Sequence, residues 1–148
     1  MQHQIILIPY NPKYAEQTVD MWRASKEKAI GQKALHSVKD HIYFLNSILP
    51  ERFHVELALR GEEVVGIIAY NESEVSQLYI HIDHLGSGIG QTLLNKAKEQ
   101  SSGRLRLYTF EVNAIAQRFY EKHGFKVIAR GHENEENLPD ILYEWVSP

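Results

Sequence analysis

Two rhythms of apolar residues, one recurring every second position and one every third or fourth, divide the chain into strands and helices. Gln4 to Ile8 is a short apolar strand stopped by Pro9, and Asn11-Pro12 is a helix entry with proline in the first turn. The helix predicted from there to about Ile30 turns Ala15, Val19, Trp22 and Ala29 inward and leaves Glu16, Asp20, Lys26 and Lys28 in water, with Gly31 as its stop. A second helical pattern runs from His36 to Leu49 through Val38, Ile42, Leu45, Ile48 and Leu49, closing at Pro50. Alternation then takes over from Phe53 to Arg60. Arg60-Gly61-Glu62-Glu63 is a hairpin turn into Val64 to Tyr70, whose near-continuous apolar run predicts a central strand. Glu74 to Ile82, Leu105 to Phe110 and Ile141 to Val146 are the remaining strands read from the pattern.

From Gln77 to Ala97 the two rhythms meet directly. Leu78, Ile80 and Ile82 alternate as in a half-buried strand, while Ile89, Leu93, Leu94 and Ala97 recur at helical spacing, and between them stand Gly86, Gly88 and Gly90. Glycines let backbone approach a ligand with no Cβ in the way, and the helix after them offers unpaired N–H groups and partial positive charge to an anion. The stretch predicts a phosphate cradle. It is not a dinucleotide fingerprint, because Gln91 stands where the third glycine belongs and no acid follows about twenty residues on. Nor is it a P-loop, which would end in Gly-Lys-Ser or Gly-Lys-Thr rather than Gly90-Gln91-Thr92. The helix stops at Ser101-Ser102-Gly103, so strand, helix and strand form a parallel crossover.

Length, charge and cysteine content narrow the partners. The 148 residues have the size of one domain, residues 1–148. A net charge of -3 with scattered basic residues gives no footprint for nucleic acid. With no cysteine there is no disulfide, thiol nucleophile or thiolate metal site. The opening Met1-Gln2-His3-Gln4 lacks a basic leader region and no run is long enough to cross a membrane, so a cytoplasmic protein is expected.

A second motif, Asn113-Ala114-Ile115-Ala116-Gln117-Arg118-Phe119-Tyr120-Glu121-Lys122-His123-Gly124-Phe125, reads locally as a helix capped by Asn113 and stopped by Gly124. With Leu85-Gly86-Ser87-Gly88-Ile89-Gly90 before it, it resembles the GNAT N-acetyltransferase superfamily. That family's pyrophosphate loop reads Gln or Arg, two residues, Gly, one residue, Gly or Ala, and Leu85 departs from its first position. The resemblance implies an α/β (α+β) fold: a mixed, mostly antiparallel sheet of about six or seven strands, a splayed parallel pair, and about four helices. It also implies transfer of an acetyl group from acetyl-CoA to a primary amine of a small molecule or peptide, by direct attack in a ternary complex. Main-chain groups near Leu78, Tyr79 and Ile80 would take the pantetheine arm and acetyl carbonyl. Leu85, Gly86, Ser87, Gly88, Ile89, Gly90, Gln91 and Thr92 would hold the diphosphate, Asn113 and Phe119 would meet the cofactor, and Tyr120 would be the general acid for the CoA sulfur. The first two helices would flank the acceptor, making Trp22, Tyr43 and Phe44 candidates to line its pocket, with Phe110 and Asp140 as further ones.

The base for the amine stays open among Glu74, His81, Asp83, Glu111 and a water relay. His81, Asp83 and His84 have no zinc-motif spacing, so no metal is expected. The segment Gly131 to Asp140 is acidic, and together with the strand to Trp145 it resembles a tail, Asn-Glu-Glu, two residues, Pro-Asp, two residues, Tyr, one residue, Trp, of an uncharacterised GNAT group. Such a carboxylate-rich lip suits a cationic acceptor. Relatives that pair as homodimers suggest an edge strand such as Ile141 to Val146 for that role. The other functional reading is a non-catalytic acyl-CoA-binding module.

Overall fold

The computed structural model describes residues 4–148. Met1 to His3, on which the leader reading partly rests, lie outside the described residues. In chain order the elements are β1 (Ile5–Pro9), α1 (Ala15–Ile30), α2 (Val38–Tyr43), β2 (His54–Arg60), β3 (Glu63–Tyr70), β4 (Val75–Ile80), α3 (Ile89–Gln100), β5 (Arg104–Phe110), α4 (Ala114–Lys122), β6 (Lys126–Gly131) and β7 (Asp140–Val146).

Local chemistry sets most boundaries. The Asn11 side chain accepts the Lys13 N–H at 3.0 Å and opens a short 3₁₀ turn that leads into α1, and Gly31, left-handed at φ +68°, closes that helix. Ser37 caps α2 through a 3.1 Å bond from the Asp40 N–H. The helix predicted to reach Leu49 keeps α geometry only to Tyr43; Phe44–Ile48 widens into a π turn and Leu49–Glu51 tightens into a 3₁₀ turn around Pro50, which has no N–H to continue the ladder.

The first sheet has the order β1-β2-β3-β4 and the second β5-β7-β6, each antiparallel throughout. Among the described residues they meet at a single parallel bridge between Glu74 and Arg106, beside which the Arg106 N–H donates to the Ser73 carbonyl at 3.0 Å. Beyond that point β4 and β5 part. Helices α1 and α2 cover one face of the first sheet, burying Val19, Trp22 and Leu45 against Leu57, Leu59, Val64 and Ile67. Helix α3 covers the other, and its core of Leu93, Leu94 and Ala97 runs on to Leu105, Leu107, Ile141 and Tyr143 of the second sheet. The central strand expected from the apolar run at Val64 to Tyr70 is β3, buried along nearly its whole length.

Three expectations need correction. Strand β4 ends at Ile80 rather than Ile82, because His81 accepts the Asp83 N–H through Nδ1 at 3.1 Å and bends the chain into a short turn. Strand β6 was not foreseen, and it pairs along β7, which is therefore the middle strand of its sheet. Ile141 to Val146 thus has no free edge to offer a second copy. Lys26, expected in water, is ion-paired to Glu136 at 3.1 Å.

Candidate active site

The parting of β4 from β5 leaves the outer edge of β4 without a strand partner from Val75 onward, and the glycine turn lies at its far end. The main-chain N–H groups of Gly86 through Gln91 have no acceptor among the described residues; the first to be paired is that of Thr92, which donates to the Gly88 carbonyl at 3.1 Å. Gly86 and Gly88 hold φ at +78° and +87°, the left-handed region that side chains disfavour, and Gly88 leaves the start of α3 without a side-chain cap. Gly90 serves contact instead: a Cβ there would lie 3.1 Å from Cζ of Phe119, so α3 and α4 approach through it. The Ser87 hydroxyl donates to the His84 carbonyl and that of Thr92 to the Gly88 carbonyl, which leaves main-chain groups as the donors on offer. A row of unpaired N–H groups at a helix start is an anion seat.

Tyr120 of α4 belongs to the cluster that β4 and α3 share, 7 % exposed and packed against Phe119, Phe125 and Tyr143 with ring centroids 5.3, 5.6 and 6.1 Å away. Burial, and then the neighbouring Tyr79, raise its pKa well above that of a free phenol. It is therefore protonated throughout the neutral range. Among the described residues nothing hydrogen-bonds its hydroxyl, nor is that oxygen sealed away, so the proton is free for an incoming acceptor. Asn113 caps α4, its Oδ1 accepting the Ala116 N–H at 3.1 Å, and its side-chain N–H groups remain unengaged among the described residues.

On the other face of β4 a cavity of about 610 Å³ opens between α1, α2, the segment joining them and the acidic loop at 132–138. Trp22 sets its floor, stacked on Tyr79 at 5.4 Å and edge-on to His41 at 4.3 Å. The Tyr79 phenol is pushed up to about 12 by burial above all, opposed in part by Trp22 and reinforced by the Glu136 carboxylate. Burial, then the charges of Arg23, Lys26 and His36, lower His41 to about 4, so this wall is neutral at physiological pH. The acidic loop is tied back onto α1 and the segment after it: Glu136 pairs with Lys26 at 3.1 Å and Glu135 with His36 at 2.8 Å, while the Lys26 ammonium lies 5.8 Å from the Phe110 ring centroid.

Residues 50–127 match the family described as Acetyltransferase (GNAT) domain. The chain belongs to the GNAT acetyltransferases. Peptidyl-lysine N-acetyltransferase YjaB of Salmonella typhimurium is 27 % identical over 139 residues, which span 90 % of this chain and 91 % of that protein. Among solved structures, apo YjaB from Escherichia coli superposes with a TM-score of 0.79 at 23 % identity, covering 98 % of this chain and 99 % of that one. PaiA N-acetyltransferase from Thermoplasma acidophilum, in complex with coenzyme A, gives 0.75 at 21 % identity, covering 97 % and 99 %. The two-part sheet is the fold these GNAT structures share.

Within this GNAT fold the candidate residues divide. Leu78, Ile80, Ile89, Phe119 and Tyr120 join one apolar cluster where β4, α3 and α4 meet, Leu85 through Thr92 form the turn and the opening of α3, and Asn113 caps α4, whereas the Tyr79 side chain packs on the opposite face of β4 against Trp22. Trp22 and Phe44 line the cavity, whereas Tyr43 is 61 % exposed and is not among its lining residues. Phe110 and Asp140 border a second hollow of about 730 Å³ with Tyr108, Arg130 and Leu142, and buried Asp140 accepts a 3.0 Å bond from Asn134 that organises the acidic loop. None of the four base candidates lines the first cavity. Glu74 sits at the bridge, His81 and Asp83 lie on the short turn near Glu63, and Glu111 is 3.8 Å from Arg130. Glu136 was given no role of its own from sequence; it stood in an acidic segment and in the Asn-Glu-Glu of the tail motif, neither of which says where each carboxylate reaches.

Proposed function

We propose that this GNAT domain moves the acetyl group of acetyl-CoA onto a primary amine of a small molecule or peptide, with both substrates bound at once. The observation that carries the reading is the divergence of β4 from β5 above a glycine turn whose six N–H groups, Gly86 to Gln91, are unpaired. Coenzyme A supplies the activated thioester. The turn's N–H groups hold the diphosphate, flanked by Leu85 and Thr92, and the bare edge of β4 around Leu78, Tyr79 and Ile80 takes the amide-bearing arm as an added strand. An N–H of that edge aimed at the thioester oxygen is worth roughly 3 to 4 kcal/mol, by analogy with other preorganised donors. Asn113 has amide N–H groups to offer the arm, Phe119 walls it, and the Tyr120 O–H meets the departing sulfur. Tyr120 has no competing partner and burial strengthens any bond it makes to a developing thiolate.

The cavity beyond Tyr79 takes the acceptor, against Trp22 and Phe44. An amine acceptor is supported by the relative YjaB, which is named for acetylating peptidyl-lysine. In this reading residues 1–148 act as one domain, in the cytoplasm and without a metal. Calorimetric titration with acetyl-CoA, followed by thiol release across a panel of primary amines and lysine peptides, tests it. Binding with amine-dependent release is the expected result. Binding with no release on any amine leaves an acyl-CoA-binding module, and no binding removes both.

A further inference from the structure

We propose that Glu136 is the amine-side residue of this site: its carboxylate seats the acceptor's ammonium in the cavity and takes the proton that frees the nitrogen to attack. The inference rests on the acetyl-transfer reading and names what that reading leaves open, the recognition and deprotonation of the acceptor.

Glu136 borders the cavity with Trp22, Phe44 and Gln77, and its side chain is only 11 % exposed. One oxygen, Oε2, is held by Lys26 at 3.1 Å. The other has no partner among the described residues and is not sealed from solvent, on a residue that lines the cavity. A carboxylate has about four acceptor positions, and one largely withdrawn from water with a single donor is under-satisfied. A primary ammonium is the group that best answers it, through short charge-assisted bonds. Lys26 shows what the seat accepts: its own ammonium rests between the Glu136 carboxylate and the Phe110 ring. The cavity's other carboxylates are differently placed. Glu135 is exposed and paired with His36, Glu27 accepts the Ala34 N–H at 3.1 Å, and Asp40 stands in water.

Glu136 is also close to the chemistry: it lines the cavity with Trp22, and Trp22 stacks at 5.4 Å on Tyr79 of the strand whose edge takes the donor's arm. The seated ammonium gives one proton to Glu136, which passes it to water at the cavity mouth. The nitrogen lone pair then forms the C–N bond, the C–S pair leaves on sulfur, and the Tyr120 O–H protonates the sulfur. The second nitrogen proton, shed as the amide forms, restores the phenol through water. One amide, one thiol and one released proton balance the reaction.

The test compares two acceptors, Nα-acetyl-lysine methylamide, an ammonium at pH 7, and hydroxylamine, largely neutral there. Glu136→Gln is expected to lower kcat/KM for the lysine amide about 100-fold while changing that for hydroxylamine by no more than a few-fold, roughly the scatter of a near-neutral substitution. The variant's rate on the lysine amide should climb with pH toward the amine's own pKa, where wild type has levelled. Equal loss on both acceptors, or loss on neither, overturns the proposal. Affinity for the lysine amide without donor, measured by calorimetry, decides the seat independently of turnover and of any folding defect in one variant. It should weaken in Glu136→Gln and tighten in Lys26→Met, which removes the resident cation; no change in the first or a fall in the second overturns it. Wild-type chain that binds the lysine amide through Glu136 but turns over neither acceptor refutes acetyl transfer and the proton-taking role together, and leaves the seat supported by the affinity pair.

Discussion

The two sides of β4 are built by different means. In the proposed reading the donor side is made of main chain: glycines with positive φ, a helix start without a side-chain cap, and a strand edge without a neighbour. The acceptor side is made of side chains drawn from α1, α2 and a loop more than a hundred residues further on, as the bond between Lys26 and Glu136 illustrates. The segment that matches the family, residues 50–127, contains the first and leaves out α1, α2 and the acidic loop.

The largest separation of the two sides should come from Tyr120→Phe. Turnover is expected to fall by roughly 10² to 10⁴, with the KM for acetyl-CoA and the melting temperature nearly unchanged, because the lost hydroxyl makes no bond among the described residues. Steady-state kinetics on any accepted amine would show it; an unaltered kcat would strip Tyr120 of its part. Next in size is Gly88→Val. A β-branched residue at φ +87° costs about 1 to 2 kcal/mol, which, if met by a shift of the turn, weakens coenzyme A binding about tenfold. Acceptor affinity should stay as it was, and coupled losses on both sides would erase the division between them.

The acceptor side should carry its own pH signature. His41 is held neutral with its pKa near 4, below the free value of 6.5, so the unfolded chain binds one more proton between those limits. Stability conferred by this burial is complete above pH 6.5 and lost as pH falls toward 4. Melting curves across that window should slope downward with acidification, and His41→Phe should flatten them. The smallest effect expected is from Leu85→Arg, which restores the family's usual first loop residue at a position that is 46 % exposed. A surface charge there is worth up to about 1 kcal/mol, hence a salt-sensitive gain of no more than about fivefold in coenzyme A affinity.

The same division explains what was legible. The glycine turn and the capped helix are local, contiguous patterns whose residue types follow from backbone geometry, so Gly86, Gly88 and the cap Asn113 could be placed from the chain alone, whereas Tyr120 was singled out only through the resemblance to the family. The acceptor cavity has no such forcing. Trp22 and Phe44 were named because they lie on the right helices, but so was Tyr43, and only the register of α2 tells them apart. Lys26 looked like a solvated charge because its partner is distant in sequence. Strand β6 was hidden for a related reason: all six of its residues are exposed and a bulge between Val127 and Ala129 breaks the alternation, leaving no buried face to read. Missing it made β7 look like an edge.

The lone bridge at Glu74 has one more consequence. Without its nucleotide, the protein carries two bare strand margins facing each other across a gap, and such margins invite pairing with any extended peptide. Coenzyme A seated there, as proposed, is then also a plug. Preparations stripped of it should clump more readily on warming than those supplied with it, through a zipper that the cosubstrate ordinarily keeps apart.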